Sequence, residues 1–76
     1  MQYKNFGKFL REKRINLGWS LNKFAIQNDI EPAIISRIEN LQQDIKLQIL
    51  VKIAIGFDMS VSDLIKEYEN SYFYNI

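Results

Sequence analysis

Residues 21–40 read LNKFAIQNDIEPAIISRIEN and contain Pro32, the single proline of the chain. Before it come Asn28 and Asp29, the non-glycine residue types that best tolerate the left-handed region and can therefore turn the chain. Proline suits the first position of a helix, because its fixed φ fits there and its missing N–H would have no partner. The stretch predicts two short helices, 21–28 and 32–39, joined by a tight turn that presents the second helix to a partner.

Three further helices follow from apolar spacing and from capping residues. The first, about residues 5–17, ends where Gly18 supplies a left-handed position, and Ser20 caps the next helix. A fourth helix covers about residues 47–57, and Ser60 caps a fifth that runs through Tyr68. The expected core positions are Phe6, Phe9, Leu10, Leu17, Phe24, Ala25, Ile30, Ile35, Ile38, Leu47, Leu50, Ile53, Ala54, Phe57, Leu64, Ile65 and Tyr68. We therefore expect one all-α domain over residues 1–76, with a helical core at about 5–67 and an aromatic tail at 68–76.

Composition excludes several kinds of chemistry. The 76 residues include no cysteine and no histidine, which rules out disulfides, thiolate chemistry, most zinc sites and imidazole acid–base catalysis. We find no carboxylate pair beside a nucleophile and no glycine-rich phosphate loop, so we expect no enzyme, no metal and no cofactor. The N-terminal residues lack the uninterrupted apolar segment of a secretory signal peptide, and the longest apolar run of the chain is too short to span a bilayer. A cytoplasmic location is expected.

Charge is distributed unevenly although the net charge is only +1. Residues 1–28 carry six bases and one acid, whereas residues 29–76 carry four bases and eight acids. Such asymmetry indicates either a face suited to a polyanion or simply a solvated basic first helix. Charge alone does not choose between the two.

The segments KRINLGWSLNKFA (13–25) and ISRIEN (35–40) carry a specific resemblance. With them, the chain resembles the lambda-repressor-like helix-turn-helix domains of Cro/XRE type from about Phe6 to Ile65. The matching positions are Gly7, Leu10, Arg14, Gly18, Ser20, Phe24, Ala25, Ile30, Ile35, Ser36, Ile38, Glu39, Leu50, Ile53, Ala54, Phe57, Ser60, Leu64 and Ile65.

The resemblance implies double-stranded DNA as the partner, with the third helix in the major groove and the second across the phosphate backbone. It assigns backbone contacts to Ser20, Asn40 and Gln42, and base-edge contacts to Pro32, Ala33, Ser36 and Arg37. It also implies a structural ion pair between Arg14 and Glu39. Candidates for the general electrostatic attraction are Lys4, Lys8, Arg11, Lys13 and Lys23.

Several residues depart from the family pattern. Leu21 replaces a usual glutamine that bonds phosphate, and Asn28 replaces a usually apolar residue and is expected to loosen the corner. The start of the third helix, from Glu31 to Ile34, offers few hydrogen bonds to bases. Ile34 either packs or contacts a thymine methyl, and Arg37 either reads guanine or faces phosphate and solvent.

The leading interpretation is a transcriptional regulator of repressor type that binds operator DNA as a homodimer. The alternative is a protein-interaction module or antitoxin-like partner with weakened DNA readout. The core positions do not use Val51 and Ile55, which lie one turn apart near Met59. Together with Tyr68, Tyr72, Phe73 and Tyr74, these residues form the candidate dimer patch. Alternatively, the aromatic tail folds back and covers these residues within the monomer.

Overall fold

The computed structural model describes residues 5–72, which form five α-helices and no strand. In chain order they are α1 (Phe6–Asn16), α2 (Leu21–Gln27), α3 (Pro32–Glu39), α4 (Leu47–Gly56) and α5 (Val61–Tyr72). Helix α2 packs against α3, α1 packs against α3, and α4 packs against α5. The predicted all-α class is confirmed, and α2, the turn and α3 make a helix-turn-helix. Helix α3 has the predicted bounds, with proline at its start.

Helices α1 to α4 end in the same way, with a left-handed residue just after the C-cap. These residues are Gly18, Asp29, Leu41 and Asp58, with φ values of 81°, 56°, 58° and 58°. At the end of α1, the Trp19 N–H donates to the Arg14 carbonyl at 3.0 Å, the pattern of a Schellman motif. Matching bonds close α2, α3 and α4. The predicted turn at Asp29 is therefore formed without glycine.

Serines begin two of the helices as predicted. The Ser20 hydroxyl accepts a bond from the Lys23 N–H at 3.2 Å, and Ser60 accepts from the Asp63 N–H at 3.1 Å. Each bond satisfies one of the amides that lack a partner in the first turn of a helix. The entry points of α2 and α5 are fixed by these local contacts.

The core joins all five helices and the turn. Its buried members are Phe6, Phe9, Leu10, Phe24, Ala25, Ile30, Ile35, Ile38, Ile53, Ala54, Phe57, Leu64 and Tyr68. Phe24 stacks on Phe57 with ring centroids 4.8 Å apart, which fastens α2 to the end of α4. On the other side, Tyr68 meets Phe6 and Phe9 edge-on at 5.3 and 5.5 Å, which fastens α5 to α1. Aromatic pairs of this kind add to the free energy from burial alone.

Two predicted core residues are wrong. Leu17 is 56% exposed because α1 ends one residue earlier and the chain turns away through Gly18. Leu47 is 71% exposed because it begins α4 on the same side as the exposed Val51 and Ile55. The expectation of a loose corner at Asn28 is also wrong.

The Asn28 side-chain amide instead stabilises the turn between α2 and α3. Its Nδ2 donates to the Phe24 carbonyl at 2.7 Å, and its side chain packs directly against Gly56 of α4. Across the same contact, the Lys52 ammonium donates to the Asp29 carbonyl at 2.9 Å. The turn between α2 and α3 is therefore held from α4.

Helix α5 continues past the expected end of the helical core and includes residues 68–72. Tyr68 is only 2% exposed and belongs to the monomer core, so its assignment to a dimer surface is wrong. The expected tail therefore begins no earlier than residue 73. Phe73 and Tyr74, like Lys4, lie outside the described residues.

Candidate nucleic-acid interface

Helix α3 turns one face to the core and another to solvent. Ile35 and Ile38 are buried, whereas Ala33, Arg37 and Asn40 are exposed. Spacings of four and three residues place the exposed three along one side of the helix. We call Ala33, Arg37 and Asn40, the C-cap residue that follows the last turn, the outer stripe of α3.

Other predicted contact residues lie at the margins of this stripe. Pro32 and Ser36 are half-buried in α3, and Gln42 is exposed in the loop that follows it. Ser20 and Lys23 are exposed at the beginning of α2. The Ser20 oxygen already accepts a capping bond, and its O–H can still donate to an external acceptor.

The Arg37 guanidinium is held by a residue that sequence reasoning missed. Its Nε donates to Gln43 Oε1 at 2.6 Å. The backbone closes beside it, because the Gln42 N–H donates to the Arg37 carbonyl at 2.7 Å. The loop was recognisable as rich in asparagine and glutamine, but no periodicity singles out Gln43.

Arg14 and Glu39 form a bidentate ion pair between α1 and the end of α3. Arg14 Nε donates to Glu39 Oε2 at 2.8 Å, and Nη2 donates to Oε1 at 3.0 Å. Arg14 Nη1 also donates to the Trp19 carbonyl at 2.7 Å, a contact that the sequence did not suggest. Both side chains are less than a tenth exposed, so the pair braces α3 and takes no part in the outer surface.

Packing explains two of the apolar residues that depart from the family pattern. Leu21 and Ile34 are both half-buried and lie against the core. The packing interpretation therefore accounts for Ile34. Glu31 is exposed at the N-cap of α3 and its side chain makes no capping bond. The first turn of α3 accordingly has few groups that can donate to bases.

Some of the basic side chains that are predicted to attract DNA form ion pairs within the domain. Lys13 Nζ lies 2.8 Å from Glu67 and 5.3 Å from the centre of the Phe57 ring, so part of its charge is already balanced within the domain. Lys8 lies 3.9 Å from Glu12, a loose and solvent-exposed pair. Among residues 5–72, Arg11, Lys23, Arg37, Lys46 and Lys66 enter no ion pair.

Helix α4 carries an exposed apolar stripe. Leu47, Val51 and Ile55 recur at intervals of four residues and are 71%, 38% and 67% exposed. Met59 is half-buried and packs against the core. We call Leu47, Val51 and Ile55 the α4 stripe. Leu47 adds one member to the predicted patch, because it lies on this exposed face and not in the core.

Tyr72 is engaged on α1. Its ring meets Phe9 edge-on at 6.1 Å, and its O–H donates to Glu12 Oε2 at 3.2 Å. Burial, and then the bond to this carboxylate, raise the pKa of the Tyr72 phenol above its ordinary value. The described part of the tail thus packs on α1, and Val51 and Ile55 remain exposed.

Comparison with known protein families shows what the chain is similar to. A family model described as helix-turn-helix matches residues 10–64, which include all of α2, α3 and α4. No curated protein and no solved structure matches the chain. Within residues 5–72, no helix has the length and apolar character to cross a bilayer, and no group of acidic side chains could hold a metal ion.

Proposed function

The chain belongs to the helix-turn-helix family of Cro/XRE type, a family of DNA-binding regulators, and on this premise we propose a sequence-specific transcriptional regulator of repressor type. It binds operator DNA in the cytoplasm as a homodimer, and occupancy of the operator is its whole action, without cofactor or catalysis. The observation that carries the proposal is the outer stripe of α3, a solvent-facing row on a helix braced from behind by a buried ion pair.

The proposed readout follows from the residues on α3. The major groove of B-form DNA is about 12 Å wide and admits a helix. Arg37 donates to guanine, Ser36 bonds a neighbouring base edge, and Pro32 and Ala33 give apolar contact to thymine methyls. Few base contacts are available in total, so sequence preference depends mainly on Arg37.

Backbone contacts hold α3 in register. Ser20 and Lys23 at the beginning of α2 and Asn40 and Gln42 after α3 face the phosphates on either side of the groove. These contacts carry no sequence information, and each neutralised phosphate adds about 0.9 to the logarithmic salt dependence. With so few cations, one domain binds weakly.

Two copies of the chain make up for this weakness. The α4 stripe, with Met59 beside it, is the proposed dimer surface, because contiguous apolar side chains on a small domain mark an interaction site. Tyr72 is left out because its ring is engaged on α1. A two-fold dimer fits half-sites about 34 Å apart.

A second candidate function is a protein-interaction module, including an antitoxin-like partner. The observation that favours it is the poor donor content at the beginning of α3, together with Ile26, which is 70% exposed on α2. This candidate predicts no DNA binding even at low salt. The regulator predicts measurable binding to any duplex at low salt and a clear preference for its operator.

Fluorescence anisotropy with random and selected duplexes at two salt concentrations tests the proposal. Arg37→Ala should reduce affinity for the selected duplex by about 5- to 150-fold, the value of one bidentate base contact. Arg11→Ala removes the same charge from α1 and should leave the sequence preference unchanged. The absence of duplex binding by the unaltered chain at low salt would exclude the proposal.

The dimer is tested separately by sedimentation. Ile55→Lys places a charge in the α4 stripe and should shift the protein toward monomer. Ile15→Lys introduces the same charge at an apolar side chain that is 53% exposed on α1, against 67% for Ile55, and is the matched control. Equal sedimentation of both variants and the unaltered chain would place the dimer surface elsewhere.

A further inference from the structure

We propose that Gln43 is a positioning residue for the DNA contact of Arg37, and that it restricts this arginine to an end-on approach to guanine. The inference rests on the proposed function, since it specifies how the same surface reads a base. It is carried by the bond from Arg37 Nε to Gln43 Oε1 at 2.6 Å.

The backbone explains why Gln43 lies there. Leu41 has a φ of 58°, which reverses the chain at the end of α3. The reversal lets the Gln42 N–H bond the Arg37 carbonyl at 2.7 Å, so the next residue lies beside the Arg37 side chain. The main chain and the side chain of this loop therefore both contact the same arginine.

The chemistry of the guanidinium gives the consequence. Arginine has five N–H donors in a planar fork, and it can approach a two-acceptor edge either with Nε and one terminal nitrogen or with both terminal nitrogens. Gln43 occupies Nε. The two terminal nitrogens are left to donate together, and guanine presents O6 and N7 as a matching pair of acceptors in the major groove.

Holding the side chain in place also reduces the cost of binding. Arg37 is exposed, and a long exposed side chain otherwise loses rotamer freedom when it docks. Ordering one such side chain beforehand is worth a factor of about 2 to 12 in affinity. This gain in affinity concerns only the base that Arg37 contacts. The preference at the other positions of the operator does not change.

The test compares base preference in the unaltered chain and in variants of Arg37, Gln42 and Gln43. Selection with the unaltered chain and with Arg37→Ala first identifies the guanine whose preference depends on Arg37. Affinities are then measured for the selected duplex and for the same duplex with 7-deazaguanine at that position, using the unaltered chain, Gln43→Ala, Gln43→Glu and Gln42→Ala. Circular dichroism checks that each variant is folded.

Gln43→Ala should lower the discrimination between the two duplexes by about 2- to 12-fold. Gln43→Glu keeps an acceptor for Arg37 Nε, so it should retain the discrimination while its added charge weakens binding to both duplexes. Gln42→Ala should weaken both equally. Full discrimination by Gln43→Ala would overturn the inference and leave the proposed function standing, whereas an unaltered chain without any base preference would overturn both.

Discussion

Removal of the Arg14 side chain should cost a large share of the stability of the domain. Arg14→Ala breaks the two bonds to Glu39 and the bond to the Trp19 carbonyl. It leaves a carboxylate that is 5% exposed without its partner. Breaking one side of a buried pair costs about 3 to 5 kcal/mol.

The scale of that loss follows from the size of the chain. At about 0.05 to 0.15 kcal/mol per residue, a domain of 76 residues has an unfolding free energy of about 4 to 11 kcal/mol. Arg14→Ala therefore brings the protein close to its unfolding midpoint at room temperature if the stability lies at the lower end. DNA binding should fail with it, because α3 loses its brace to α1.

The double variant Arg14→Met with Glu39→Leu distinguishes the loss of the ion pair from the cost of leaving one buried charge without a partner. Replacing both partners by apolar residues of similar volume leaves no buried charge and is often neutral or stabilising. We expect the double variant to recover most of the loss caused by Arg14→Ala.

Urea unfolding followed by circular dichroism and by fluorescence of Trp19, the single tryptophan, measures these free energies. Trp19 is half-buried and lies 6.3 Å from the Phe24 ring, so its emission reports on the core around α2. A loss below about 1 kcal/mol for Arg14→Ala, the range of exposed pairs, would show that the ion pair contributes no more than a surface pair.

Three further variants test separate features. Gly7→Ala should destabilise by about 1 to 3 kcal/mol, because a Cβ would overlap two backbone carbonyls of α3; a gain of about 1 kcal/mol, typical of alanine in an open helix, would contradict this close approach. Leu41→Gly should raise the melting temperature slightly, since the left-handed strain of about 1 to 2 kcal/mol exceeds the extra backbone entropy that glycine loses on folding, about 0.5 to 1 kcal/mol; an unchanged or lower value would contradict the strain at Leu41. Tyr72→Phe should reduce the loss of stability that occurs above about pH 10. The pKa of Tyr72 is higher in the folded state than in the unfolded state, so the protonated phenol stabilises the fold below the unfolded-state pKa. This contribution is lost as the pH rises through the folded-state pKa. Identical stability curves for the two proteins would contradict the raised pKa of Tyr72.

Local signals in the sequence were sufficient for the helices. Pro32 marked the beginning of α3, Ser20 and Ser60 marked caps, and apolar spacing selected most of the core. Periodicity failed at Leu17 and Leu47, because it identifies a face of a helix but not how far a neighbouring element covers that face. Both residues stand at helix ends, where cover stops.

The site was predictable only in part. The family pattern identified Arg14 with Glu39 and the face of α3, since these depend on fixed spacing within short helices. Gln43 was missed because its contact with Arg37 depends on the left-handed Leu41, and leucine is a residue type that gives no signal for that conformation.

Backbone amide NMR of the labelled protein, titrated with its selected duplex at low salt, tests whether the outer stripe of α3 contacts DNA. We expect the largest changes in chemical shift at Ala33, Arg37 and Asn40, with smaller changes at Ser20 and Lys23. Changes concentrated on Leu47, Val51 and Ile55, or no change at any residue, would contradict it.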